Sequence, residues 1–371
     1  MTALTRHRLF WPVAMLAALL LSNLLRGPGF FAIRIQDGHL YGSLIDILAN
    51  AAPIMIISLG MTLVIATGGI DLSVGSLVAI SGALACLHIS RQPDQNAMVV
   101  VVTAIAIAIG VSVVLGLWNG VLVAGAGIQP IIATLILMVA GRGVAQLITG
   151  GQIINVTSTP YKVIGSGFIA TLPFAFVLVA AIYALASVII RRSALGMLVE
   201  AVGGNPEASR LVGIRSKTLL IGVYVVSGLC AGVAGLIVSS DVLSADGNNA
   251  GLWFELDAIL AVVIGGTALT GGRFSLAGTL IGALVIQTLT TTIYSMQVTP
   301  QTILVYKAVV VLMVCLLQSP TFRAKVFRRW RGPGGGPPPA PTGAPISPAP
   351  QPADRSEVAA RTATVSKEQA A

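Results

Sequence analysis

Apolar runs long enough to cross a bilayer recur along most of this chain, and that recurrence leaves few architectures open. The hydrocarbon core of a bilayer is about 30 Å thick, so a helical span needs roughly 20 mostly apolar residues. Runs of that kind cover Leu9–Leu25, Leu44–Ala66, Ala97–Val123, Ile131–Ile148, Leu172–Ile190 and Leu219–Ser239, with shorter ones at Ser76–Ile89, Ala258–Leu269, Leu276–Ile293 and Ile303–Leu317. The expected fold is all-α: a polytopic membrane protein of about ten transmembrane helices.

Only 9% of the 371 residues are charged and 55% are hydrophobic, against roughly 25% charged in a soluble domain. The formal charge of +9 suggests nucleic acid in a soluble protein. Here the basic residues flank apolar runs, which is the pattern of an orientation signal, so the partner is the lipid bilayer and not nucleic acid. Ten spans with the N-terminus inside also place inside the residues Arg191, Arg192, Arg210, Arg215 and Lys217 and the cluster from Arg323 to Arg331. Few Lys or Arg remain outside, and both termini are expected to be cytoplasmic. The first run, preceded by Arg6-His-Arg8, resembles a secretory leader, but no persuasive small-x-small cleavage site follows it; an uncleaved first span is the favoured reading. Cys86, Cys230 and Cys315 lie in apolar runs and read as small core residues. His7, His39 and His88 lack metal-ligand spacing, and no metal site is expected. From Gly332 to Ala371 the chain is rich in Pro, Gly and Ala. It carries too little apolar surface to fold, so a disordered tail follows a transmembrane domain over 1–331.

The longest polar interruption runs from Arg191 to Thr218, and a short helix is written into it. Asn205 is a suitable N-cap, Pro206 suits the first helical position, and Glu207 places negative charge at the positive end of the dipole. Ala208, Leu211 and Val212 share a face, and Gly213 is placed to end the helix in the left-handed conformation. About two turns are marginal alone in water, so the small apolar face needs a partner surface on this chain or another.

No catalytic constellation is present. A GxxxxGK[ST] phosphate loop, HExxH, GxSxG and CxxC are all missing from the sequence, so this chain does not bind ATP through such a loop. Two glycine-rich breaks interrupt apolar runs: Gly68, Gly69, Asp71, Ser73 and Gly75 in the first, Gly265, Gly266, Gly271 and Gly272 in the second. Non-helical backbone at membrane depth is tolerated only where protein or a water-filled cavity satisfies it. Two readings stand: tight helix packing with Asp71 or Ser73 capping the next span, or the wall of a polar pathway. Asp71 is the sharpest candidate, because a carboxylate in an apolar region is costly unless bonded or solvated. Arg142 and Lys307 lie within expected spans and should meet a carboxylate, backbone carbonyls or the interface. Asn119, Gln129, Thr134 and Gln146 suit a sugar-sized aqueous path, and polar helix–helix bonds explain them equally well.

Several of these stretches together resemble the signatures of ribose/xylose-type sugar ABC importer permeases. They are Thr62–Gly75 (TLVIATGGIDLSVG), Gln129–Leu135 (QPIIATL) with Arg142-Gly143, and Glu255–Gly266 (ELDAILAVVIGG) with Gly271-Gly272. Glu207–Gly213 (EASRLVG) is similar to the Glu-Ala-Ala-x-x-x-Gly loop by which importer permeases dock on their ATPase, with Ser209 a mild departure. Gln36–Ser43 (QDGHLYGS), Ile45–Leu48 (IDIL) and Asn248–Trp253 (NNAGLW) resemble galactofuranose-type permeases more narrowly. The resemblance spans roughly residues 40–318. It implies a bacterial inner-membrane importer with two permease subunits, a cytoplasmic ATPase and a periplasmic sugar-binding protein, and no cofactor bound by this chain. It also implies that Glu200, Asn205, Pro206, Glu207, Ala208, Arg210, Leu211 and Gly213 form the ATPase-coupling element. A second class of function, an ion-coupled secondary transporter, would need a mid-membrane coupling carboxylate, for which Asp71 is the candidate; a membrane enzyme or scaffold is a third.

Overall fold

A computed structural model describes residues 9–26, 28–32, 34–36, 38–295, 305–309 and 312, all within one compact unit, Met1–Gln318. The described residues are mainly helical, in the order α1 (Phe10–Arg26), α2 (Ser43–Ala66), α3 (Val74–Ser90), α4 (Met98–Gly120), α5 (Pro130–Thr149), α6 (Thr159–Ser166), α7 (Phe174–Arg192), α8 (Leu195–Gly204), α9 (Pro206–Leu211), α10 (Ser216–Asp241), α11 (Phe254–Ile264) and α12 (Leu276–Ser295). A π-helical turn, Val121–Gly125, extends α4. Among the described residues, strands are confined to short antiparallel pairs: Arg34–Gln36 with His39–Tyr41, Ile154–Asn155 with Ser244–Ala245, and Phe168–Ile169 with Leu172–Pro173.

Six of the described helices are long and apolar enough to cross a membrane: α2, α4 with its π turn, α5, α7, α10 and α12. The chain is thus an all-α polytopic membrane protein. The expected tally of about ten is not reached among the described residues. The third run is a 17-residue helix, Val74–Ser90. The eighth is an 11-residue helix, Phe254–Ile264; at ~1.5 Å per residue that crosses only about half the hydrocarbon core. The last expected run, Ile303–Leu317, lies outside the described residues except for 305–309 and 312. The proposed tail, 332–371, and Cys315 lie outside them too.

Helix α10 is the centre of the bundle, packed on α2, α3 and α4. Small residues let the backbones approach: a Cβ on Gly60 of α2 would sit 2.9 Å from Ser227 Cα, and one on Gly228 2.6 Å from Ser112 O of α4. Lipid gives no hydrophobic drive between helices, so such close van der Waals contact carries the association. Ser81 on α3 adds a bond to Gly232 O of α10 at 2.7 Å. The helices with high hydropathy but little burial, α4, α5 and α7, form the periphery. The first run is part of this structure: Met15, Leu16 and Leu19 pack against Val285 and Ile286 of α12, and Asn23 Nδ2 donates to Thr292 Oγ1 at 2.7 Å.

The polar stretch 150–171 folds into α6 and a short strand on each side. Ser158 caps α6 by accepting from Tyr161 N, and Tyr161, fully buried, reaches Ser239 Oγ of α10 at 2.6 Å. Cys86 and Cys230 are buried core residues.

Candidate functional site

The first glycine break joins α2 to α3, and Asp71 is its knot. One carboxylate oxygen accepts from the amide and hydroxyl of Ser73, at 3.0 and 2.6 Å. The other accepts from Ser227 Oγ of α10 at 2.7 Å. Asn119 Nδ2, at the end of α4, donates to Ser73 Oγ at 2.8 Å. Thr134 Oγ1 of α5 donates to Ile70 O at 3.2 Å, and Ser76 Oγ bridges Ser73 O and Leu137 O. Five elements therefore converge on one irregular turn. Asp71 is 1% exposed and Ser73 fully buried. Backbone that leaves helical geometry inside an apolar bundle has no water to turn to, so side chains must supply its partners. Tyr224 Oη and Asn119 Oδ1 are buried beside this knot without a hydrogen-bond partner among the described residues. Gly69 is required here, since a Cβ would lie 2.7 Å from Tyr224 Oη.

The second irregular region surrounds α11 on both sides. Residues 242–253 descend along α5: Gly247 lies against Ala145 O, and Gly251 against Gly75 O at the start of α3. Arg142 satisfies this descending backbone, donating from Nη1 to Ala250 O at 2.6 Å. A carboxylate, backbone carbonyls or the interface are the partners its sequence position allows, and a carbonyl is what it meets. Lys307 meets a carboxylate, Asp257 Oδ2, at 2.8 Å. Glu255 and Asp257 belong to the buried first turn of α11. On the far side of α11, Gly265 abuts Gly278, a Cβ there falling 2.5 Å from Gly278 C. Gly266, Gly271 and Gly272 then take positive φ angles of 89°, 85° and 90°.

The segment 191–218 is not a loop. It contains two helices, α8 and α9, joined by one residue. Leu195–Gly204 was not anticipated as a helix; its apolar side seats Val199 and Val202 in the interior, with Val199 packed near Val64 and Ala66 of α2. The α9 helix follows its sequence signals closely. Asn205 Oδ1 accepts from Glu207 N and Ala208 N at 3.1 and 3.0 Å. Pro206 is the first helical residue, and Gly213 has φ +86°. Ser209 faces inward at 5% exposure, whereas Leu211 and Val212 are 80% and 78% exposed. The apolar face therefore has no cover from the described part of this chain. Glu207 and Arg210 are 4.0 Å apart and largely exposed, a pair of small energetic weight.

Glu200 lines a cavity of about 350 Å³ with Arg191, Tyr183, Phe274 and Ser275, between α7, α8 and the start of α12. The structure gathers Gly68, Gly69, Asp71, Ser73, Asn119 and Thr134 at the first break, places Gly265 and Gly266 at the second, and sets Arg142 apart, on α5 against the descending segment. Gln129 is the exposed N-cap of α5 and makes no cap bond with its side chain. Ser227, Tyr224 and Gly203 escaped the sequence reading. Ser227 and Tyr224 sit in an unbroken apolar helix, where nothing but contact with the α2–α3 break distinguishes them. Gly203 had a signal, the Gly203-Gly204 pair inside a helical pattern.

The chain matches the family described as "Branched-chain amino acid transport system / permease component" over residues 43–317. It is 48% identical over 331 residues to the galactofuranose transporter permease protein YtfT of Escherichia coli, covering 86% of this chain and 94% of that protein. It is 43% identical to the fructose import permease protein FruF of Bifidobacterium longum over 77% of this chain and 80% of that one. To the ribose import permease protein RbsC of Escherichia coli the identity is 37%, over 79% and 88%. No solved structure matches. The resemblance read from the glycine-rich signatures is borne out by these relatives, and the region of similarity takes in both breaks and α8–α9. On these matches, a multi-pass helical bundle knotted at two glycine breaks belongs to the branched-chain amino acid transport system / permease component family.

Proposed function

We propose that this chain is a transmembrane pathway subunit of an ATP-driven sugar importer, driven through α9 by an ATPase that is a separate protein. The observation that carries the coupling is the apolar surface of α9: Leu211 and Val212 stand 80% and 78% exposed on a helix whose other side is anchored by buried Ser209. A short capped helix with its apolar side turned outward fits a cleft on another protein. The sugar reading is supported by relatives named for galactofuranose, fructose and ribose, and the substrate is galactofuranose or a related aldose. The partners are a second permease subunit, the same or different, a cytoplasmic ATPase, and a periplasmic binding protein that delivers the sugar. The chain itself is non-catalytic and lies in the bacterial inner membrane with α8, α9 and both termini cytoplasmic. An ion-coupled carrier is disfavoured because both oxygens of Asp71 are engaged within the chain.

The test is ATPase activity of the reconstituted complex, with and without sugar-loaded binding protein. Gly213→Val forces a β-branched residue to φ +86°, a strain of order 1–3 kcal/mol. Ala208→Arg puts a long cation on the apolar side. Both variants should insert and assemble yet lose stimulation by the loaded binding protein. Full stimulation and normal uptake in both would defeat the coupling assignment. Uptake of galactofuranose and related aldoses unchanged on deleting this chain would defeat the substrate assignment.

A further inference from the structure

The end of α8 touches both glycine breaks at once, and no side chain lies between them. A Cβ built on Gly203 would collide with Ala66 O at the end of α2 and lie 2.7 Å from Gly272 N in the α11–α12 connection. Those two atoms are bonded to each other: Gly272 N donates to Ala66 O at 2.8 Å. One residue back, a Cβ on Gly271 would lie 2.8 Å from Gly203 O and 2.9 Å from Gly68 N. Three backbones thus meet at a point, and the third is two residues from Asn205, the cap of α9. By contrast, Gly204 has nothing within 4 Å of its Cβ position.

We propose that Gly203 is a positioning residue that transmits movement of α9 to both glycine breaks together. The inference rests on the reading that α9 meets the ATPase. Close-packed backbone contacts have no rotamers with which to absorb a displacement, so a shift on one side must move the other. Val199 and Val202 hold α8 in the interior, which keeps α8 from sliding free of the joint. The Ala66–Gly272 bond ties the two breaks, so α2 and the α11–α12 connection respond as a unit. The Asp71 knot, five residues past Ala66, lies in the same turn and carries the motion toward α4, α5 and α10.

A pair of variants one residue apart tests this in the membrane complex purified with its ATPase. Gly204→Ala should match wild type in every measurement. Gly203→Ala should retain the ATPase at normal stoichiometry and hydrolyse ATP, yet move at least about fivefold less sugar per ATP, the lower end of coupling between linked sites. Unchanged sugar per ATP in Gly203→Ala overturns the proposal. So does loss of the ATPase from that complex, which would make Gly203 part of the docking surface alone. Should Gly203→Ala fail to reach the membrane, hydrogen exchange of the wild-type complex decides. Peptides covering 66–69 and 265–275 should change protection together on adding a non-hydrolysable ATP analogue, and a change in one without the other refutes the joint. Failure of the underlying α9 reading looks different: Ala208→Arg would keep full stimulation whatever Gly203→Ala did.

Discussion

Asp71 offers a direct choice between a structural clamp and a charge that serves transport. Its carboxylate accepts three bonds, from Ser73 N, Ser73 Oγ and Ser227 Oγ, at 3.0, 2.6 and 2.7 Å. A hydrogen bond to a charged group contributes roughly 1.5–3 kcal/mol net. In Asp71→Ala all three donors lose their acceptor. The two hydroxyls can turn to a helix carbonyl, as Ser239 Oγ does toward Gly235 O, but the Ser73 amide has no such freedom. The expected loss is about 3–6 kcal/mol. Asp71→Asn keeps one oxygen for the two Ser73 donors and offers its amide to a reversed Ser227 hydroxyl. Neutral bonds contribute roughly 0.5–1.5 kcal/mol each, so three weakened bonds cost the Asn variant about 3–4.5 kcal/mol, less than Ala because the Ser73 amide keeps its acceptor. The assay is the thermal unfolding midpoint in detergent alongside uptake per molecule in proteoliposomes. Because both oxygens are spent within the chain, the clamp reading expects the two readouts to fall together, with Asn above Ala in each. An Asn variant that unfolds normally but does not transport would refute it and assign the charge to the pathway.

Arg142→Met removes the donor to Ala250 O and leaves a partly buried carbonyl unpaired, at about 1–3 kcal/mol; it should speed proteolysis or hydrogen exchange of 242–253 without dissolving the bundle, and unchanged protection there would remove Arg142 as the prop of that segment. The Lys and Arg distribution predicts that reporter fusions after Arg215 read cytoplasmic and one after Asn249 periplasmic; a periplasmic signal at Arg215 would reverse the orientation.

The local chemistry of this chain is legible in its residues wherever a short stretch decides its own conformation. Asn205, Pro206 and Gly213 specify the start and stop of α9 without help from elsewhere, because a cap, a fixed φ and a left-handed glycine act within a few residues. The long apolar runs of α2, α4, α5, α7, α10 and α12 are equally explicit, since span length is set by bilayer thickness and not by neighbours. What only the tertiary structure decided is how the irregular parts are satisfied. Apolar residues in 258–269 look like a span, yet the helix stops at Ile264, where Gly266 turns to φ +89° and Gly265 packs on Gly278. Arg142 in the middle of α5 has meaning only once residues 242–253 descend beside it. Ser227 looks like any other small residue of an apolar helix until Asp71 arrives from a turn 156 positions away. The same holds for Gly203. Its neighbours in sequence say only that a glycine pair stands in a helix, while Ala66 and Gly272 say why one member of the pair is confined and the other is open. Inside a bilayer each broken backbone must find its partner in another helix, and such partners are a property of the assembled bundle.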